Sequence, residues 1–158
     1  MKMMECRQTI RSDIGHVVVT ASAEGVTSIA FTDQPVLQDQ PNDITKEACA
    51  QLKAYFDKKL SSFSLPLHAK GTEFQHKVWQ ALQQIPYGKT ASYLDIAHAV
   101  NNPKGARAVG MANGRNPIAI VVPCHRIIGA NKTLTGYAGG LDRKQFLLEL
   151  EGAQQALW

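Results

Sequence analysis

The run Pro123-Cys124-His125-Arg126 holds the residue types most able to do chemistry in this 158-residue chain. It follows the apolar stretch Ile118-Ala119-Ile120-Val121-Val122 and precedes Ile127-Ile128-Gly129. Such a stretch before a proline reads as a buried strand over 118–122 that delivers a cysteine, with a histidine beside it, to the edge of a core. A thiol there is a nucleophile once something takes its proton. Adjacent side chains on a strand point to opposite faces, so Cys124 and His125 need not touch. Pro123 marks a departure from strand geometry, and a water or a third residue could connect His125 to the sulfur. The plain alternative is a buried structural cysteine beside a satisfied histidine, because a free cysteine is commonly a small core residue.

The elements that would carry these groups follow from pattern. His16–Thr20 and Val26–Phe31 are β-branched runs separated by Glu24-Gly25, which predicts a hairpin. Ile44, Ala48, Leu52, Tyr55 and Phe56 recur at helical spacing and predict an amphipathic helix over about 44–60. Ser64–His68 reads as a short edge strand because of Pro66. Ala69-Lys70-Gly71 reads as a boundary. The expected organisation is an α/β (α+β) chain with an N-terminal sheet-and-helix scaffold, 1–70, and a helical C-terminal domain, 71–158.

From Thr72 the pattern turns helical. Thr72 with Gln75 forms a capping box before Phe74, Val78, Leu82 and Ile85, and Pro86–Lys89 stops that helix. Ser92 with Asp95 caps a second helix over about 93–100. Asn102-Pro103 reads as N-cap and first position of a third helix, over about 103–113. The last two make a helix-turn-helix candidate. The third helix is built from small residues, Gly105, Ala106, Ala108, Gly110 and Ala112, around the long Lys104, Arg107 and Met111. Either it packs tightly on another helix, or its backbone approaches a ligand with Arg107 projecting. A slim helix can enter a narrow minor groove. Asp142 reads as the cap of a last helix that carries Phe146, Leu147 and Leu150 and ends near Glu151-Gly152. Glu151 faces the unfavourable end of that helix dipole, so it is either solvated or held by a partner such as His125.

Composition narrows the class. Hydrophobic residues make up 44% and charged residues 19%, as in an ordinary globular protein, and the net charge of +4 mildly favours a polyanionic partner. The 3 cysteines, Cys6, Cys49 and Cys124, are dispersed, which argues against a disulfide framework or a cysteine-rich zinc site and fits a reducing compartment. The first residues lack the apolar core of a signal peptide, and no apolar run approaches a membrane span. A cytoplasmic protein with no membrane partner is expected.

The ordered set Tyr93, Arg107, Asn116, Pro123-Cys124-His125-Arg126, Gly136-Tyr137 and Glu151 resembles the O6-alkylguanine-DNA alkyltransferases, also called methylated-DNA–protein-cysteine methyltransferases. The resemblance is strong over about 72–152 and looser before it. It is to the bacterial single-chain type without a sensor domain, and so not to an adaptive transcription regulator. It implies that Cys124 is the nucleophile and permanent alkyl acceptor, and that Glu151, His125 and a water relay the thiol proton away. It implies that Asn116 holds the turn before the active-site strand and that Tyr93 faces a phosphate or the base N3 and assists departure of the guanine anion. Arg107 would fill the space of a flipped nucleotide, with Tyr93, Ala106, Gly110 and Ala112 also on the DNA face. Gly136, Tyr137, Ala138, Ile127 and Lys144 would form the substrate pocket. Ala138 stands where some relatives have serine, which leaves a backbone N–H for that contact.

The resemblance further implies a single-turnover methylated-DNA–protein-cysteine S-methyltransferase acting on O6-alkylguanine in double-stranded DNA through the minor groove. Acceptance of O4-alkylthymine is left open. A monomer is expected, with cooperativity on DNA open. No cofactor is implied. Some relatives bind zinc in the N-terminal part, but Cys6, His16, Cys49 and His68 lack metal-like spacing here, so no metal is expected. Three other readings stay in play: an alkylated-DNA binder without transfer, a cysteine hydrolase in which Glu151 orients His125, and a plain helix-turn-helix module.

Overall fold

The computed structural model describes residues 5–34, 38–131 and 134–153. It is a mixed α/β chain that divides into two compact units, Met1–Lys70 and Gly71–Trp158.

The first unit is an antiparallel three-stranded sheet in the order β1-β2-β3, with one helix against it. The strands are β1 (Cys6–Ser12), β2 (Gly15–Ala21) and β3 (Val26–Thr32). The predicted hairpin is β2-β3, paired Val17 to Phe31 and Val19 to Ile29. β1 was not expected: Cys-Arg-Gln-Thr-Ile-Arg-Ser is polar, and Ile10 is its one fully buried residue. Its register on β2, Ile10 opposite Val17, is what recruits it to the sheet. Helix α1 (Asp43–Phe56) buries Thr45, Ala48, Cys49, Leu52 and Tyr55 on one stripe. Asn42 and Thr45 form its capping box. The helix stops short of the expected residue 60. Lys58 turns left-handed at φ 61, and the N–H groups of Lys58 and Lys59 close back on the carbonyls of Tyr55 and Ala54. Around Pro66 the expected edge strand is reduced to a bridge between Leu67 and Val26.

The second unit packs three helices on one another: α2 (Glu73–Leu82), α3 (Tyr93–Ala99) and α4 (Ala106–Gly114). Both expected capping boxes form, Thr72 with Gln75 and Ser92 with Asp95. Trp79 of α2 donates its indole N–H to the carbonyl of Ala112 in α4 at 2.9 Å. The third helix starts three residues later than expected. Asn101 is left-handed at φ 59, and the Asn101 and Asn102 N–H groups cap the end of α3 on the carbonyls of His98 and Ala97. Asn102 therefore ends one helix instead of starting the next, and Gly105 is the N-cap of α4.

A short parallel pair, β4 (Ala91–Ser92) with β5 (Ile127–Ile128), joins the start of α3 to the segment after the cysteine. Between α4 and that segment the expected strand 118–122 is absent. Ile118, Ile120 and Val122 are buried, but the chain runs through turns, with Ile120 at φ 72. A β-branched residue in the left-handed region costs about 1–3 kcal/mol and persists only where its surroundings impose it. The last helix, α5 (Leu141–Leu150), has Gly140 as N-cap, with Asp142 in its first turn instead of at the cap. At its other end Gly152 adopts φ 71, and the N–H groups of Gly152 and Ala153 return to the carbonyls of Glu149 and Leu148. That closure leaves Glu151 at the C-cap with its side chain turned inward.

Candidate active site

The geometry starts with Asn116, just after α4. Its Nδ2 donates to the carbonyls of Val122 at 2.8 Å and Ile118 at 3.3 Å, while its Oδ1 accepts from the Ile118 N–H at 3.0 Å. One side chain thus replaces the ladder that a strand would have supplied. It closes the loop leading to Pro123, after which Cys124–Arg126 form a single 3-10 turn.

All three residues of that turn are buried. The Glu151 carboxylate, itself buried, lies 2.7 Å from His125 Nε2 and accepts from Arg126 Nε at 2.8 Å and from its terminal nitrogen at 3.0 Å. Arg126 also donates to the carbonyl of Ile85 at 2.6 Å, and its guanidinium sits 5.9 Å above the Tyr87 ring. Burial alone would raise the Glu151 pKa, but the hydrogen bonds it accepts from His125 and Arg126, with the Arg126 charge, outweigh it and bring the group down to about 2. Glu151 is ionised at neutral pH. For His125 burial dominates and lowers the pKa despite Glu151, so the ring is neutral. A neutral ring facing a carboxylate through Nε2 must carry its proton there. The lone pair is then on Nδ1, which is buried and has no hydrogen-bond partner among the described residues. A lone pair with no partner of its own is what a general base requires.

Burial raises the pKa of the Cys124 thiol, while the Asn116 amide and the charge of Lys144 pull the other way. Cys124 lines a cavity of about 300 Å³ together with Tyr93, Gly110, Asn113, Gly114, Gly136, Tyr137 and Ala138. Burial also raises the Tyr137 pKa well above its ordinary value, keeping the phenol neutral. The Tyr137 hydroxyl and the Asn113 amide oxygen are buried without protein partners among the described residues.

The expected residues separate into groups. Cys124, His125, Asn116 and Glu151 come together, and Tyr93, Gly110, Gly136, Tyr137 and Ala138 meet Cys124 at the cavity. Arg107 is exposed on α4 and Ala106 is half-buried there. Three more of the expected residues are buried. Ala112, expected on the DNA face, is buried because its backbone is tied to Trp79. Ile127 and Lys144, expected in the pocket, are both buried and lie outside the lining. Lys144 Nζ instead donates to the Ile127 carbonyl and to both oxygens of Thr135, at 3.2 Å and 3.1 Å for the latter two. Its pKa is lowered by burial to about 8.

Sequence reasoning missed Asn113, Gly114, Thr135 and the role of Arg126. The tandem of Arg126 beside His125 was the available signal, since a buried carboxylate needs a cation. The small residues of α4 also resolve. A Cβ at Gly105 would fall 2.3 Å from the Asn102 side chain, which would have to shift. A Cβ on Gly110 would meet the Tyr93 ring at an ordinary 3.6 Å, and one on Gly114 would meet nothing within 4 Å. Internal packing does not require these two glycines, and both border the cavity. Among the described residues no group of three or more His, Cys, Asp or Glu side chains could hold a metal. No described helix is long and apolar enough to cross a membrane.

Two family models match the chain: the 6-O-methylguanine DNA methyltransferase ribonuclease-like domain over residues 6–69 and the DNA binding domain of the same name over 73–153. The methylated-DNA–protein-cysteine methyltransferase of Methanosarcina acetivorans is 50% identical over 148 residues, spanning 90% of this chain and 95% of its own. That of Mycobacterium leprae is 48% identical, spanning 96% and 94%. The crystal structure of Mycobacterium tuberculosis O6-methylguanine methyltransferase superposes with a TM-score of 0.85 at 45% identity, over 94% of this chain and 93% of that one. A structure of the same organism's protein in complex with DNA superposes with a TM-score of 0.85 at 46% identity, over 92% of each chain. With both of its parts matched in chain order and nearly half of its residues shared with such relatives, the chain belongs to the 6-O-methylguanine DNA methyltransferase family.

Proposed function

We propose that the protein repairs DNA by direct reversal, taking the alkyl group from guanine O6 onto Cys124 irreversibly and once per chain. The observation that carries this reading is the pairing of two features at one residue. Cys124 borders a cavity walled by Tyr93 and Tyr137, and its neighbour His125 is neutral with a free Nδ1 lone pair and Glu151 on its far nitrogen.

At rest the thiol holds its proton, because burial disfavours the thiolate. A water between Sγ and Nδ1 would carry the proton to His125, and ionised Glu151 would stabilise the imidazolium. Lys144 and Asn116 favour the thiolate that results. The sulfur then attacks the alkyl carbon in line. The S–C bond forms as the C–O6 bond breaks, and the electron pair stays with guanine, which takes up a proton. Tyr93 faces the base N3 and donates to the departing anion. The product is a thioether, whose sulfur is a poor leaving group, so the acceptor is spent. No cofactor enters the scheme, and one chain carries every group in it.

O6 is hidden within a base pair, so the nucleotide must leave the stack at a cost of a few kcal/mol, least for a damaged pair. In this reading α4 enters the minor groove of double-stranded DNA, Gly110 and Ala106 allow its backbone close approach, and Arg107 occupies the vacated space. Phosphate contacts then dominate affinity, with weak sequence preference. In this reading the unit 71–158 does this work, the unit 1–70 is a scaffold, and the protein acts in the cytoplasm. The test is stoichiometry. Guanine restored in a duplex of O6-methylguanine should plateau at one equivalent per chain, and continued turnover would point to a hydrolase.

A further inference from the structure

The hydroxyl of Thr135 joins two groups of the site. Tyr93 Oη lies 2.8 Å from it and Lys144 Nζ lies 3.1 Å from it. Lys144 Nζ also donates to the carbonyls of Thr135 and Ile127. An ammonium has three donors and no lone pair. Its three acceptors here match that number, so the Lys144 contact occupies one lone pair of Thr135 Oγ1 and cannot reverse.

The contact with Tyr93 can reverse, because either of two hydroxyls can donate. With Tyr93 as donor, its proton is held on Thr135. With Thr135 as donor, the Tyr93 proton is free to turn into the cavity that Tyr93 and Cys124 both line. A cation donating to Thr135 Oγ1 makes the Thr135 O–H a stronger donor, and through it the Tyr93 O–H. Each hydroxyl only rotates about its own C–O bond. No covalent bond changes, and Lys144 keeps its protons.

We propose that Thr135 is a positioning residue for alkyl transfer: it passes a hydrogen bond from Lys144 to Tyr93, so that Tyr93 donates to the departing base. This rests on the reading above, in which Tyr93 faces N3. Thr135 thus couples the loop carrying Tyr137 to the helix carrying Tyr93 at the moment the leaving group needs its donor.

The test is a double-mutant cycle on the single-turnover rate at saturating O6-methylguanine duplex, with duplex Kd measured separately. Thr135→Val keeps the shape, removes the hydroxyl and should slow transfer about tenfold, a modest share of a general-acid contribution. The Kd should stay within about twofold. Thr135→Ser should restore the rate to within about threefold of wild type. In a Tyr93→Phe background, Thr135→Val should have no further effect, since coupled residues do not lose independently. Should Thr135→Val fail to fold, Thr135→Ala carries the same cycle. An unchanged rate, additive losses, a serine variant as slow as valine, or a loss confined to Kd would each overturn the proposal. A wild-type chain that takes up no alkyl group would instead overturn the underlying function.

Discussion

The Glu151 carboxylate lies 2.7 Å from His125 Nε2 and receives both arms of the Arg126 guanidinium at 2.8 Å and 3.0 Å. One acid at the end of α5 thus fixes two consecutive residues of the turn that starts with Cys124. The hydrogen bonds of His125 and Arg126 keep the acid ionised, and the ionised acid keeps the proton of His125 on Nε2. Structure and chemistry therefore share the same three side chains, and changes there should show in both.

Replacing Glu151 by Gln leaves Arg126 buried without its counter-ion. Breaking a buried pair from one side costs about 3–5 kcal/mol. The melting temperature should fall, and alkyl transfer should slow by about ten- to a hundredfold as His125 loses its orienting charge. A variant that melts early yet transfers at the wild-type rate would detach Glu151 from the proton relay while keeping its structural part.

The same cluster sets the response to acid. Glu151 is held at about 2, below its ordinary 4.5, so the unfolded chain takes up that proton first as pH falls. Its stabilisation is complete above about 4.5 and is lost as pH falls towards about 2. His125 is held below its ordinary 6.5, so the unfolded chain also gains a proton there first, and stability declines from 6.5 downwards. Chemical denaturation across pH 7 to 3 should show continuous loss of stability, and Glu151→Gln should flatten the portion below 4.5. A wild-type profile that is level down to pH 4 would contradict both assignments.

Arg107 stands exposed on α4, outside the cavity. If it fills the space of the flipped nucleotide, it serves duplex DNA and not the bare base. Arg107→Ala should slow repair of O6-methylguanine duplex by at least about tenfold, since flipping costs a few kcal/mol. Reaction with free O6-benzylguanine should stay within about twofold. Equal losses on both substrates would remove the flipping role.

Gly110 gives a case in which stability and function should part. Its added Cβ would meet the Tyr93 ring at 3.6 Å, an ordinary contact, and alanine in a helix interior gains about 0.5–1 kcal/mol over glycine. Gly110→Ala should melt slightly higher and yet repair duplex more slowly, because the methyl group stands on the cavity wall. Higher stability with unchanged repair would show that the wall has room to spare.

Features with local causes were legible from the residues alone. Thr72 with Gln75 and Ser92 with Asp95 each close their hydrogen bonds within four residues, and α2 and α3 start where those pairs predict. The Glu151 partner was one of two alternatives, because a contact 26 residues away leaves no periodic trace. The segment 118–122 misled because buried apolar residues look alike in a strand and in a turn. Its hydrogen bonds come from the Asn116 side chain and from its own turns, which no alternation pattern reports. β1 escaped because Ile10 is its single fully buried position. Asn102-Pro103 carried a valid start signal, but the end of α3 claimed the Asn102 N–H first. Lys144 and Ile127 were assigned to the pocket by resemblance, and their burial and the hydrogen bonds of Nζ are tertiary facts that no local pattern reports.

The most direct test of the central claim is the intact mass of the protein after mixing with a duplex that contains O6-methylguanine. Transfer to Cys124 predicts a gain of one methylene mass per chain, never more, mapped to the peptide containing Cys124 and absent in Cys124→Ala, which should still bind the duplex. An unchanged mass despite tight binding, or a gain that persists in Cys124→Ala, would contradict it.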